Sequence, residues 1–348
     1  MIGSILRILM ALAVLGIARA LAAGPGPTLL PEEWQAWRAA FVEPSGRVVD
    51  DANGRISHSE SQGYGMLLAT LAGAEADFDA LWSFTRTELM VRDDGLVAWK
   101  WDPAATPHVA DINNASDGDI LIAYALERAA LAWDRPEYEA AARDLARALG
   151  RAAVIPTEAG PLMLPGATGF GPGDRPDGPV VNLSYWIFEA MPVLARLDPE
   201  TDWPAVGRLG LGLTEAAQFG PRKMPPEWLS LKDDPHPADG FAAEFGYNAL
   251  RIPLYLIRGG IEAPDLLARL QAGMDMGGDL AIGPLAADAP WTPLADPGYR
   301  AVVALVACKL TGAPMPQDLT VFRSTNYYPS TLHLLALAHA REAMPQCV

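Results

Sequence analysis

The sequence predicts an all-α protein, a closed barrel of about twelve helices in a single domain. Three observations lead there. Apolar residues recur with helical spacing in eleven separate segments, whereas alternating runs bounded by turns are nearly absent. Gly/Pro-rich loops join the segments, and no linker or composition shift divides the 348 residues. The helix spacing is not a strict repeat, which favours a closed barrel over a solenoid.

The elements follow in chain order. Met1 to Ala22 reads as a secretory signal: Arg7 supplies the charge, Ile8 to Ile17 the apolar run and Ala20-Leu21-Ala22 the cleavage pattern. The run is short of the roughly 20 residues needed to span a bilayer. The mature chain, 23–348, is expected to be exported, periplasmic or secreted, and off the membrane. Glu32 to Phe41 then places Trp34, Trp37 and Phe41 on one face. Further helices are expected over Tyr64 to Ala72, Phe78 to Met90, Ile120 to Trp133 and Glu137 to Ala153. Those that follow are Ser184 to Leu197, Trp203 to Phe219, Leu250 to Arg258, Ala263 to Met276, Tyr299 to Thr311 and Ser330 to Ala343. Gly150 and Gly259 close two of them. Val97 to Trp101 is the best candidate strand. Pro156 to Val181, with six prolines and six glycines, reads as the longest irregular loop.

Charge excludes some functions. Twenty-six basic residues against 42 acidic give −16. Removing the signal takes away two arginines and no acid, leaving −18. Such a chain repels nucleic acid and anionic lipid. Two cysteines exclude a disulfide-dense scaffold. Export makes a Cys308–Cys347 bridge chemically allowed, although spacing does not establish it.

Three acidic clusters carry the chemistry. In Ser57-His58-Ser59-Glu60-Ser61-Gln62-Gly63-Tyr64-Gly65-Met66, Ser59 or Ser61 can cap the helix and Glu60 can serve its N-terminal dipole. Alternatively Glu60 sits at the barrel mouth, where burial raises its pKa and makes it a proton donor. In Asn113-Asn114-Ala115-Ser116-Asp117-Gly118-Asp119, the acids either cap a helix or reach a ligand hydroxyl. Two carboxylates fall short of a calcium cage. In Glu244-Phe245-Gly246-Tyr247-Asn248-Ala249-Leu250-Arg251, the arginine is either a paired surface residue or a fixed guanidinium orienting a substrate. Trp99 and Trp101, two apart in an extended segment, would project from one face as platforms for a pyranose ring. The five histidines lack metal spacing, and no motif requires a metal or cofactor. Acids with aromatic platforms are the equipment of carbohydrate hydrolysis.

The segments Ser59 to Met66, Ala115 to Asp119 and Ile122 to Leu126 resemble the two signatures of glycoside hydrolase family 8, and the likeness runs from about Glu33 to Ala340. The resemblance implies an (α/α)6 barrel and inverting endo-hydrolysis of β-1,4-linked glycans. The substrate would be cellulose-type glucan, with xylan or chitosan as alternatives. It further implies a link to bacterial cellulose synthesis, and so a cellulose synthase complex as a partner. By the same resemblance Glu60 is the general acid, Asp117 holds the central sugar, Tyr247 and Arg251 flank the base, and Trp99 or Trp101 stacks on the glycan. One departure stands out. Where family endoglucanases carry an aspartate base in Tyr-Asp-Ala-x-Arg, this chain has Asn248. An amide can position water but takes no proton from it. The base must be another acid. Asp239 is preferred and Glu244 is the runner-up, with Asp233 and Asp234 further candidates. A chain that binds glycan without turning it over is the alternative.

Overall fold

The computed structural model describes residues 26–287 and 289–348. The signal expected over Met1 to Ala22 lies outside the described residues. Among those described are eleven α-helices: α1 (Pro31–Phe41), α2 (Ser59–Leu71), α3 (Glu75–Phe84), α4 (Ser116–Trp133), α5 (Pro136–Ala153), α6 (Met191–Leu197), α7 (Trp203–Ala216), α8 (Ile252–Arg258), α9 (Pro264–Met274), α10 (Pro297–Thr311) and α11 (Tyr327–Ala343).

Burial sorts them into two rings. In α2 every residue except Glu60 is buried, and α4, α8 and α11 are buried nearly all round. A helix apolar on all sides belongs inside other helices. By contrast α5 buries one stripe, Tyr138, Ala142, Leu145, Ala146, Leu149 and Ala153, and turns its acids and arginines outward. The inner ring closes on itself. α2 packs on α4, α4 on α6, the 3-10 turn before α6 on α8, α8 on α10, α10 on α11, and α11 returns to α2. Helices α1, α3, α5, α7 and α9 alternate with these along the chain as the outer layer. Trp37 of α1 is fully buried and its Nε1 donates to Thr331 of α11 at 3.1 Å, which fastens the outer layer to the inner.

The differences from expectation have local causes. α2 begins at Ser59 rather than Tyr64. Gly63 and Gly65 suggest a loop but are packing devices instead. A Cβ on Gly63 would lie 2.5 Å from the Leu121 Cβ of α4, and one on Gly65 would lie 2.8 Å from Val48 Cγ2. The cap is neither Ser59 nor Ser61. His58 Nδ1 accepts from the Ser61 N–H, and Ser61 Oγ accepts from the His58 N–H. The helix expected to Met90 stops at Phe84 and continues as a π turn over Thr85–Leu89. Short strands are more numerous than the sequence suggests. Val154–Thr157 pairs with Gly160–Met163, so the expected loop starts as a hairpin. α9 ends at Met274, and Asp275–Met276 turns back onto Asp279–Pro284 through Gly277-Gly278. Both glycines have positive φ, 74° and 97°, which that tight turn requires.

Cys308 and Cys347 form a disulfide across 39 residues, tying α10 to the C-terminal turn. Closing a loop of that length removes chain entropy worth ~4 kcal/mol. Cys347→Ser is therefore expected to lower the urea midpoint by that equivalent. Reductant should do the same to the parent protein and nothing further to the variant.

Candidate active site

The six inner segments deliver their N-terminal ends to one end of the barrel. Glu60 is the second residue of α2 and Asp117 the second of α4. Ser184 and Tyr185 precede α6, Asn248 and Arg251 precede α8, Tyr299 opens α10, and Tyr327 and Tyr328 open α11. The partial positive charge of helix N-termini favours carboxylates there.

Arg251 is the hub. Its side chain is 1% exposed. Nη1 donates to Glu60 Oε2 at 2.5 Å and to the Tyr64 hydroxyl at 3.4 Å. Nη2 donates to Asp117 Oδ2 at 2.7 Å, Ser184 Oγ at 3.2 Å and Asn248 Oδ1 at 3.5 Å. The arginine is thus buried and paired with two acids of the site rather than lying at the surface. Gly118 makes the convergence sterically possible, because a Cβ there would lie 2.0 Å from Ser59 Oγ and 2.9 Å from the Glu60 N. Asp119, also fully buried, faces away. It accepts from the Val97 N–H and Asn114 Nδ2, and burial pushes its carboxyl up to about 7.

Burial pushes the Asp117 carboxyl up to about 6, against the pull of Arg251. Glu60 goes the other way. Burial raises it, but Arg251 and then His58 outweigh that and hold it below the usual carboxylate range. This corrects the expectation that burial alone raises Glu60. Both carboxyls bond the same guanidinium and each shifts the other's titration, so they behave as one proton-sharing unit.

Beside this unit opens a cavity of about 670 Å³, lined by Glu60, His58, Asp50, Tyr247, Asn248, Asp296, Tyr299, Tyr327 and Tyr328. His58 Nε2 lies 3.4 Å from Asp50 Oδ2. With Nδ1 accepting the helix cap, the proton sits on Nε2 and points at Asp50. Tyr247 is 51% exposed and its carbonyl accepts from the Tyr328 hydroxyl. An acid, a polar cleft and a wall of tyrosines suit a polyhydroxylated ligand.

The tryptophans do not act together. Trp99 is half-buried, its carbonyl accepts from the Ser59 N–H next to Glu60, and its Nε1 donates to Asp111. Trp101 is engaged elsewhere, with the His108 ring 4.2 Å and the Arg47 guanidinium 4.8 Å from its centroid. Its ring is half-buried and lies outside the lining of the Glu60 cavity. Asp239 is exposed and anchored by its backbone, its N–H donating to Asp177 at 2.8 Å and its carbonyl accepting from Arg175 at 2.5 Å. Among the described residues its carboxylate makes no hydrogen bond to Asn248 or Arg251, so the preferred base is not tied to the group that positions the water. Asp233 and Asp234 are exposed as well. Glu244 is half-buried on a strand opposite Pro284.

The acid that does reach Asn248 is Glu227, which the sequence reading missed. Its Oε1 accepts from the Asn248 N–H at 2.6 Å. Burial raises its carboxyl above the usual range, and the Asn248 hydrogen bonds only partly offset this. It precedes Trp228, which is stacked between Phe170 and Phe241. The available signal was an acid beside a tryptophan in the loop Pro225-Pro226-Glu227-Trp228. Its distance in sequence from Asn248 concealed it.

A closed (α/α)6 barrel with paired carboxyls on a buried arginine at one end defines a glycoside hydrolase. Residues 5–273 match the family model for glycosyl hydrolases family 8, and the chain belongs to that family. It is 36% identical over 338 residues to a "Probable endoglucanase" of Novacetimonas hansenii, covering 92% of this chain and 94% of that one. The family 8 endoglucanase Cel10 from Klebsiella pneumoniae superposes with a TM-score of 0.79 at 33% identity, covering 89% of this chain and 99% of that one. The endo-β-1,4-glucanase CMCax from Acetobacter xylinum gives 0.79 at 34% identity, over 89% and 98% of the two chains.

Proposed function

We propose that this chain is an exported endoglucanase that hydrolyses β-1,4-glucan with inversion, in the service of bacterial cellulose synthesis. Glu60 protonates the leaving oxygen, and Asp117 with Arg251 holds the sugar under attack. One observation carries the reading. Glu60 and Asn248 bond opposite ends of a single buried guanidinium. That shared cation fixes the acid and the amide that positions the water in one rigid frame. The disulfide and the apolar N-terminal run support export, to periplasm or medium. Association with a cellulose synthase complex is part of the proposal, and co-purification with that complex tests it.

The direct test is an assay of carboxymethyl-cellulose, xylan and chitosan side by side, with the anomer of the first product read by NMR. Release of the α-anomer from the glucan supports the reading. Preference for chitosan or xylan, or a β-anomer, sinks it. Asn248 favours a second reading, a glycan-binding protein without turnover, which predicts oligosaccharide binding and no new reducing ends.

The proton-sharing pair sets an expected pH profile. Catalysis needs one proton on the Glu60–Asp117 unit, and Asp117 keeps its proton to about pH 6. Rising pH removes it. So kcat/KM should fall on the alkaline side with an apparent pKa near that value, belonging to the pair. Asp117→Asn leaves Glu60 alone with Arg251 and should move that limb to lower pH.

A further inference from the structure

We infer that Glu227 is the proton acceptor that replaces the aspartate base absent from this chain. The inference rests on the hydrolytic reading above. In the step, the oxygen of a water attacks the anomeric carbon and the bond from that carbon to the leaving oxygen breaks. Glu60 gives its proton to the leaving oxygen. The water's proton passes to the Glu227 carboxylate, and solvent later takes that proton from Glu227 and returns one to Glu60. One water is consumed and no other reactant is needed.

The placement argues for Glu227 over every other acid at the site. Asn248 cannot take a proton, but its amide can hold the water. Glu227 accepts from the Asn248 backbone N–H at 2.6 Å. The turn between them is kept open by Gly246. A Cβ there would lie 2.6 Å from Glu227 Oε1 and 3.2 Å from Glu244 Oε1. The glycine thus leaves space in which two carboxylates stand close together. Glu244 is the other member of that pair. Its negative charge and the burial of the site both raise the proton affinity of Glu227, while Arg251 opposes them. Asp50 is excluded because it bonds His58, the cap of the helix that carries Glu60, and so lies on the acid's own side. Inversion requires the base on the opposite face of the sugar. Asp296 is committed to capping α10 through the Gly298 N–H.

The experiment uses the full chain and cellopentaose. Glu227→Gln, which keeps an acceptor for the Asn248 N–H, should lower kcat by 10²–10⁴-fold with KM little changed. Glu227→Ala should recover activity in azide and yield the α-glycosyl azide, because a small anion then replaces the carboxylate. In the Glu227→Gln background, Asn248→Asp should restore turnover by supplying the missing aspartate. Retention of parental kcat in Glu227→Gln overturns the proposal, as does a folded Glu227→Ala that azide does not rescue. A parent protein that is inactive while Asn248→Asp hydrolyses overturns it too, but leaves the substrate reading standing. Inactivity of both on every glycan overturns the two together.

Discussion

Glu60→Gln is expected to lower turnover of carboxymethyl-cellulose by about 10²–10⁴-fold while leaving the fold intact, the loss appropriate to a general acid. The substitution is clean for structural reasons. A glutamine carbonyl can still accept from Arg251 Nη1, so that contact keeps a neutral counterpart. What disappears is the transferable proton. Substrate affinity should hold, because Asp117, Arg251 and the tyrosines of α10 and α11 are untouched. Glycosides with a good leaving group, such as dinitrophenyl cellobioside, need little protonation and should be the least affected. A variant that hydrolyses both substrates at the parental rate would remove Glu60 from the reaction.

The helical architecture was largely legible because inner helices bury every side and outer helices one, and both patterns are local. Glu60, Asp117 and Arg251 were legible for a related reason: each sits at a helix start beside residues that break the apolar run. Trp101 shows where local reasoning stops. An extended pair of tryptophans looks like a platform until Arg47, from another part of the fold, and His108, from the same loop, engage one of them. The base shows it more sharply. Asp239 is the base the sequence reading prefers, yet its loop is tied down by Arg175 and Asp177. Glu227, more than twice as far from Asn248 along the chain, is brought to it at the edge of a short sheet, where the Glu227 N–H donates to the Glu244 carbonyl at 2.9 Å. Leu229–Ser230 pairs with both Val180–Val181 and His236–Pro237. That register is set by long-range contacts between two-residue strands, which leave no periodicity to read. The hairpin turn at Gly277-Gly278 was missed because the helix before it ends in residues that continue the apolar pattern.

Arg251→Met should show how strongly the site depends on one cation. The guanidinium is 1% exposed and contacts two carboxylates. Removing one partner of a buried ion pair typically costs about 3–5 kcal/mol, because the remaining charge is stranded. Methionine fills much of the arginine stem, so the loss reads the charge more than a cavity. The penalty has a definite pH dependence. Without Arg251, both folded-state carboxyl pKa values rise above the unfolded values, which lie near 4. Below those unfolded values both states are protonated and the variant should approach the parent's stability. As pH rises, the unfolded chain ionises freely while the folded one resists, so stability is lost progressively toward neutrality. Urea midpoints measured across pH should therefore diverge between parent and variant as pH increases. Equal midpoints at pH 7 would show that the guanidinium does not hold the acids in place. Arg251→Lys separates charge from geometry. A lysine restores a cation and should recover much of the stability, but a single ammonium cannot span Glu60, Asp117 and Asn248 as a planar fork does. Stability recovered without activity would assign the arginine's catalytic value to its shape, which sets the distance between the acid and the water.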